Sequence, residues 1–261
     1  MLRKRIIFSL IYSDGIFNQS RNFRLQKVGN LTWLEKNYKF QKIAFSLDEL
    51  IVINAGRGDK KVADFAAMLT ELTNDIFIPL CAGGGIRTEA DAELLFKSGA
   101  DKIILNSLLV ENIEVVKNIT KNFGSQSVVA SVDYKIINGL HQVFIADGNK
   151  QIDMLLGEYL QYLETLDIGE IYLNSIDKDG TGFGYDFETI IKYAGIINKP
   201  LIIAGGAGNS EHLINGLKIN GVSAVATANL FNFIGDGLPN ARKDIIERGE
   251  NIARWDDYNL T

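Results

Sequence analysis

Cysteine, histidine and proline are scarce in this sequence, with one, two and three copies among 261 residues. The single cysteine, Cys81, excludes a disulfide within the chain, and its apolar run IPLCA is typical of a buried structural thiol rather than a nucleophile. His141 and His212 lack the paired spacing of metal ligands. We therefore expect neither a metal site nor a bound cofactor.

Long apolar runs and excess positive charge are also missing. No apolar run reaches the roughly 20 residues that a membrane-spanning helix needs. The basic start MLRKRIIFSLIY meets Ser13 and Asp14 without a small-residue cleavage site. The formal charge of −5 argues against a nucleic-acid surface, which needs clustered Lys and Arg. We expect a soluble cytoplasmic protein without nucleic acid or membrane as a partner.

Short apolar runs alternate with helix-length amphipathic segments along the whole chain. Eight such strand-and-helix units predict a single (β/α)8 barrel domain over residues 1–261. A doubly wound open sheet is the alternative, but eight units in about 250 residues favour closure. The predicted strands are 5–11, 49–54, 78–82, 101–106, 127–133, 170–174, 200–204 and 222–228.

The second half of the chain repeats the first. SLIY at 9–12 corresponds to SVDY at 131–134, which places Ile11 opposite Asp133. In parallel barrels the active site lies where the C-terminal strand ends meet. We therefore expect these two residues at symmetric positions in the mouth, although one is a hydrocarbon and the other a carboxylate.

Two glycine-rich turns also occupy matched positions in the halves. AGGGIRTEAD (82–91) and AGGAGNSEH (204–212) each follow an apolar strand and open a helix. Glycine lets the backbone approach a ligand closely, and free N–H groups at a helix start attract anions. Tight strand-to-helix turns alone would explain one copy. Two matched copies favour a substrate with two phosphates or two separated anionic groups.

These stretches together resemble a known family. IPLCAGGGIRTEADAELLFKSGADKIILNS, GEIYLNSIDKDGTGFGYD and IIAGGAGNSEHL are similar to the cyclase (synthase) subunit of imidazole glycerol phosphate synthase, and the likeness covers nearly the whole chain. The resemblance implies a barrel that receives ammonia from a class I glutaminase docked on its bottom face. At the top, that family closes an imidazole ring on a bisphosphorylated substrate.

The resemblance also assigns two phosphate sites, in which Ser107 and Asn229 replace a Thr and a Ser of the family. Both replacements keep a side chain that can hydrogen-bond a phosphate. The first site comprises Gly85, Asn106 and Ser107. The second comprises Asp179, Gly180, Gly206, Ala228 and Asn229.

The mouth departs from the family at three charged positions. Of the two catalytic aspartates that the resemblance implies, one is present as Asp133 and the other is Ile11. A lysine of the first loop falls on Gln19, and an aspartate at the end of the second strand falls on Asn54. Because losing one acid–base group typically lowers the reaction rate about 10²–10⁴-fold, we expect this chain to catalyse the family's cyclisation slowly.

The opposite end of the barrel keeps its charges. The resemblance implies a salt-bridged ring of Arg5, Glu49, Lys102 and Glu170 that gates the passage of ammonia. Ordinary strand-start charges that keep the bottom face soluble are the alternative. Retention of all four beside an altered mouth favours an ammonia conduit.

The sequence therefore predicts a synthase-type barrel subunit that takes ammonia from a class I glutaminase and amidates a phosphorylated, sugar-type substrate of surface-polysaccharide biosynthesis, as relatives of the cyclase do. One alternative is the imidazole glycerol phosphate synthase cyclase of histidine biosynthesis. Another is a non-catalytic conduit that activates the glutaminase and passes ammonia to a third enzyme. An isomerase of the sister barrel is disfavoured because it too uses paired carboxylates.

Overall fold

The structure is a computed structural model that describes residues 3–38, 43, 45–74 and 76–254. Its strands are β1 (Arg5–Ser13), β2 (Ile16–Arg21), β3 (Arg24–Gly29), β4 (Glu49–Asn54), β5 (Leu80–Gly83), β6 (Lys102–Leu105), β7 (Val128–Ile137), β8 (Leu140–Ile145), β9 (Lys150–Leu155), β10 (Glu170–Ser175), β11 (Leu201–Ala204) and β12 (Val222–Thr227). Its helices are α1 (Leu31–Tyr38), α2 (Val62–Thr73), α3 (Glu89–Lys97), α4 (Leu108–Glu111), α5 (Ile113–Phe123), α6 (Leu156–Glu164), α7 (Phe187–Ala194), α8 (Ser210–Lys218) and α9 (Gly237–Glu247).

Eight of these strands form a closed parallel barrel, in the order β1, β4, β5, β6, β7, β10, β11 and β12. The barrel closes because β12 pairs back onto β1, with Ala224 opposite Arg5. On the far side β7 pairs with β10, which places Asp133 opposite Asn174. This closure confirms the predicted (β/α)8 barrel and excludes the open sheet. Each predicted strand overlaps one barrel strand.

The other four strands form hairpins at the C-terminal ends of β1 and β7. The hairpin of β8 and β9 follows β7, and β8 pairs antiparallel with both β7 and β9. The hairpin of β2 and β3 is not evident from the sequence, because its turn uses Asn22 and Phe23 at φ angles of 49° and 62°. A phenylalanine rarely adopts a left-handed backbone, so the usual glycine signal for such a turn is absent.

Alternation along the strands divides the apolar side chains between two layers. Outward-facing residues such as Phe8 and Leu10 pack under the helices, whereas inward-facing residues fill the bore. Cys81 belongs to the inner layer and is fully buried, and burial raises the pKa of its thiol well above the ordinary value. The inner layer comprises Ile7, Ile51, Cys81, Ile104, Val129, Tyr172, Ile202, Ala204, Ala224 and Ala226.

No helix in the described part of the chain is long and apolar enough to cross a membrane.

Candidate functional site

The C-terminal ends of the barrel strands surround a cleft of about 540 Å³. Side chains from both halves of the chain line this cleft, as expected for the mouth of a parallel barrel. Among them are most of the residues that the sequence assigns to the mouth. These are Ile11, Gln19, Gly85, Asn106, Ser107, Asp133, Asp179, Gly180, Gly206, Ala228 and Asn229.

The two glycine turns require glycine for steric reasons. Gly85 has a φ of 91°, and a Cβ placed there would lie 2.8 Å from the Cβ of Lys60. Gly206 has a φ of 105°, and its Cβ would lie 2.1 Å from the carbonyl oxygen of Gly184. Both values are in the left-handed region that side chains disfavour. The chain therefore presents bare backbone to the cleft at two places, one in each half of the barrel.

Asp133 is the carboxylate at the end of β7, and it is nearly buried at 8% exposure. Its Oδ1 accepts a hydrogen bond from Asn174 Nδ2 at 3.1 Å, and its Oδ2 accepts one from Asn106 Nδ2 at 3.2 Å. Burial raises its pKa to about 7, with a smaller contribution from the charge of Asp147, although the Asn174 hydrogen bond opposes the rise. A group with this pKa can accept or donate a proton near neutrality.

Ile11 places an apolar side chain, instead of a carboxylate, at the strand end that corresponds to Asp133. Ile11 lies beside Ile53 of β4 in the parallel register and beside Asn18 of β2 in the hairpin. An isoleucine neither gives nor takes a proton. The mouth therefore places a lone acid–base group, rather than a carboxylate pair, at the two symmetric strand ends.

Asp179 carries the other buried carboxylate of the cleft. Its Oδ2 accepts hydrogen bonds from Ser20 Oγ at 2.5 Å and from the Phe23 amide at 3.0 Å. Burial is the main cause that raises its pKa. These bonds fasten the β2–β3 hairpin to the loop after β10. Gly180 fits beneath the same hairpin, because a Cβ there would lie 2.0 Å from the Ser20 carbonyl oxygen.

The side chains of Gln19 and Asn54 hydrogen-bond the backbone of nearby loops. The Oε1 of Gln19 accepts a hydrogen bond of 2.8 Å from the Leu230 amide. Asn54 is buried, accepts from the Gly56 amide at 3.2 Å and donates to the Lys60 carbonyl at 3.1 Å. Because an ionised aspartate could not make the second bond, the amide is suited to holding this loop. Asn54 does not itself line the cleft.

Sequence reasoning missed an ion pair across the mouth. Lys60 Nζ lies 2.7 Å from Asp147 Oδ1, and both residues line the cleft. Beside it, the amide of Ala146 donates to Ser107 Oγ at 3.1 Å. The pair joins the loop after β4 to the turn between β8 and β9. The two residues are 87 positions apart, and neither stands in a motif that would have identified it.

The four charged residues at the strand starts form a closed ring of ion pairs at the barrel floor. Arg5 contacts Glu49 at 2.6 Å and also pairs with Glu170. Lys102 contacts Glu49 at 3.0 Å and Glu170 at 2.6 Å. Each cation therefore bridges both carboxylates.

The two carboxylates of the floor ring differ electrostatically. Glu49 is 1% exposed, and burial raises its pKa although both cations oppose the rise. Its Oε1 is buried and has no hydrogen-bond partner among the described residues. At Glu170 burial also acts to raise the pKa, but the Arg5 and Lys102 contacts outweigh it and the pKa is lowered. Because a buried acceptor without a partner destabilises the fold, a hydrogen-bond donor that reaches Glu49 Oε1 would bind favourably there.

Between the floor ring and Asp133, two hydroxyl groups contact each other in the bore. The Tyr172 hydroxyl lies 3.2 Å from Ser9 Oγ, and both side chains are nearly fully buried. Tyr172 belongs to the inner core and also lines the cleft, so its ring reaches from the bore to the mouth.

No group of three His, Cys, Asp or Glu side chains arranged to hold a metal ion occurs among the described residues. The polar groups that line the mouth include amides, hydroxyls, the carboxylates of Asp133 and Asp179 and the Lys60–Asp147 ion pair, and they suit hydrogen bonding to a polar substrate.

Comparison with known proteins gives a consistent result. Residues 25–235 match the family described as "Histidine biosynthesis protein". A protein of Parasynechococcus marenigrum (strain WH8102), provisionally named imidazole glycerol phosphate synthase subunit hisF2, is 43% identical over 256 residues, covering 98% of this chain and 95% of the relative.

Two further relatives are more distant. Imidazole glycerol phosphate synthase subunit HisF of Dictyoglomus thermophilum is 33% identical over 251 residues, covering 95% of this chain and 98% of the relative. The subunit of the same name from Thermotoga sp. (strain RQ2) is 33% identical over 253 residues, covering 97% and 98%. These names refer to imidazole glycerol phosphate synthase, and none of them refers to sugar amidation.

Proposed function

This chain belongs to the histidine biosynthesis protein family and is HisF-like, and on that premise we propose that it is the barrel subunit of a glutamine amidotransferase complex. A class I glutaminase docks over the floor ring and releases ammonia into the bore. The ammonia is used at the mouth on a phosphorylated substrate, whose anionic groups bind at the two glycine turns.

The proposed acceptor is a phosphorylated or nucleotide-linked sugar of surface-polysaccharide biosynthesis. The observation that carries this choice is Ile11, which faces the mouth where paired-carboxylate cyclisation needs a second acid–base group. When ammonia adds to a carbonyl-type carbon of the sugar, one side chain can take the proton from the nitrogen and return it to the oxygen, which leaves as water, so a single acid–base group suffices. Asp133, with a pKa of about 7, can supply that base near neutrality.

The route of ammonia follows the polar atoms along the barrel axis. The free Oε1 of Glu49 can accept a hydrogen bond from ammonia at the floor. The Ser9 and Tyr172 hydroxyls offer the next hydrogen bonds, and Asp133 lies at the upper end. Tyr172 belongs to the inner layer of the bore and also lines the cleft, so we expect its ring to turn aside as ammonia passes.

A second candidate is the cyclase of imidazole glycerol phosphate synthase itself. The names of the relatives and the two matched glycine turns support it. The apolar residue at position 11 opposes it, because the end of β1 then supplies no carboxylate to share the proton transfers of the ring closure with Asp133.

An isotope experiment separates these candidates whatever the chemical identity of the acceptor. The barrel is co-purified with its glutaminase and given glutamine labelled with ¹⁵N in the amide, together with a small-molecule extract of the source cells. Label in a phosphorylated or nucleotide-linked sugar supports the proposal. Label in an imidazole product instead identifies the cyclase. Label that enters product only when a third enzyme is added identifies a non-catalytic conduit, and failure to co-purify contradicts the glutaminase partnership.

A further inference from the structure

The groups assigned to bind an anion at the Gly85 turn carry no positive charge. They are the Gly85 backbone, the Asn106 amide and the Ser107 hydroxyl, all of which are neutral. The nearby carboxylate of Asp133 has its pKa raised in part by the charge of Asp147, so these acidic groups act on one another. A phosphate dianion placed here needs a cation to offset them.

Lys60 is the cation best placed to serve this turn. Its Cβ occupies the space where a side chain at position 85 would begin, so the lysine stem runs beside the turn. The Lys60 side chain is only 17% exposed, whereas Arg57 and Arg87, the other basic residues in the lining, are exposed. The Asn54 amide fixes the Lys60 backbone from below, which holds the stem against Gly85.

The β8–β9 turn engages the same two groups that would hold a phosphate. Asp147 Oδ1 lies 2.7 Å from the Lys60 ammonium. Its neighbour Ala146 donates its amide to Ser107 Oγ at 3.1 Å. The β8–β9 turn therefore pairs the Asp147 carboxylate with the Lys60 ammonium and hydrogen-bonds the Ser107 hydroxyl.

We propose that Lys60 is the cationic side chain of the phosphate site at Gly85, Asn106 and Ser107. The Lys60 ammonium pairs with the Asp147 carboxylate until a phosphate group takes the place of that carboxylate. The inference rests on the proposed phosphate-binding function and adds the residue that neutralises the charge. Binding exchanges one ion pair for another and releases Ser107 from Ala146. Asp147 thereby weakens binding of any ligand that lacks enough negative charge to displace it.

The test is a titration with inorganic phosphate, followed by the ¹H–¹⁵N shifts of the Gly85 and Gly206 amides. Each amide reports on its own turn, so the Gly206 site is an internal reference for folding. The proteins compared are wild type, Lys60→Gln, Asp147→Asn, the double variant and Lys61→Gln. Lys61 is the exposed neighbour of Lys60, so its variant controls for general loss of charge.

We expect Lys60→Gln to weaken phosphate binding at Gly85 at least about tenfold, as for loss of a charged hydrogen bond. Asp147→Asn should strengthen it by a similar factor, because it frees the ammonium. In the double variant the Asp147 change should strengthen binding by clearly less than it does in wild type, because only the relief of charge repulsion remains, and Gly206 should report unchanged affinity throughout.

Three results would overturn the inference. Unaltered affinity in Lys60→Gln would remove the lysine from the site. Weaker or equal binding in Asp147→Asn would mean that the ion pair only braces the hairpin. Additive effects in the double variant would mean that the two residues act independently. If phosphate shifts neither amide in wild type or Asp147→Asn, the proposed phosphate-binding function itself fails, which is a separate outcome.

Discussion

Replacing Asp133 by asparagine should change how the stability of the barrel depends on pH. The pKa of Asp133 is raised to about 7 in the folded protein, chiefly by burial, against about 3.9 in an unfolded chain. The folded state therefore keeps the proton over a range in which the unfolded state releases it. Below about pH 4 both states are protonated and the group costs nothing. The cost grows from about pH 4 to about pH 7 and is constant above.

The size of this cost follows from the difference in pKa. About three pH units at about 1.4 kcal/mol each give roughly 4 kcal/mol of destabilisation above pH 7. Between pH 5.5 and pH 7.5, Asp133 alone should lower the free energy of unfolding by about 2 kcal/mol. Asparagine is neutral and removes this dependence. Its amide can be accommodated if the Asn174 amide turns over, because Asn106 is held by a second bond to the Ser131 carbonyl.

The assay is urea unfolding of wild type and Asp133→Asn at the two pH values. Titrating groups distant from Asp133 contribute equally to both proteins, so the difference between the two pH slopes isolates Asp133 together with its coupling to nearby charges such as Asp147. Asp153→Asn, at an exposed position on β9, is the matched control and should keep the wild-type slope. Identical slopes for wild type and Asp133→Asn would mean that the pKa of Asp133 is not raised in the folded protein. A wild type that gains stability more steeply than the variant as pH rises would mean that this pKa is lowered.

Three further predictions concern the mouth, the turns and the floor. With ammonium and the bisphosphorylated substrate of the family, wild type should react at least about 10²-fold more slowly than an enzyme with both carboxylates, and Ile11→Asp with Gln19→Lys should recover part of the rate. Rapid turnover by wild type would contradict this prediction. Gly206→Ala should lower the free energy of unfolding in urea by about 2–4 kcal/mol, because its Cβ would lie 2.1 Å from a backbone oxygen. Gly195→Ala, with open space around it, should change that free energy by no more than about 0.5 kcal/mol. Equal changes in the two variants would mean that the turn at Gly206 adjusts freely. Lys102→Ala should depress glutamine-dependent product formation while ammonium-dependent formation persists, and equal loss of both would make the floor ring a stabiliser only.

The barrel was predictable because its signals are local and repeated. Each strand is a short apolar run, and the half-chain repeat aligns Ile11 with Asp133 without any structural information. Spatial closure then places both at one mouth, since parallel strands share their C-terminal edge. The glycine turns were also evident, because left-handed φ angles with close backbone contacts admit no other residue.

The ion pair across the mouth was not predictable from the same signals. Lys60 and Asp147 lie on separate loops, and their contact depends on how far the β8–β9 hairpin leans over the cleft. The role of Asp179 was also incomplete in the sequence, because the β2–β3 hairpin that it fastens turns through Phe23 rather than glycine. Loop side chains of this kind acquire partners only from the tertiary arrangement.

We propose that ammonia released below the floor ring reaches Asp133 through the bore. This route is tested most directly by competition between glutamine labelled with ¹⁵N in the amide and an excess of unlabelled ammonium in the reconstituted complex. We expect the product of wild type to stay enriched in ¹⁵N, because channelled ammonia does not mix with the solvent pool, and Lys102→Ala to lose much of this enrichment. If the ¹⁵N content of the wild-type product matches that of the bulk ammonium, ammonia does not pass through the bore.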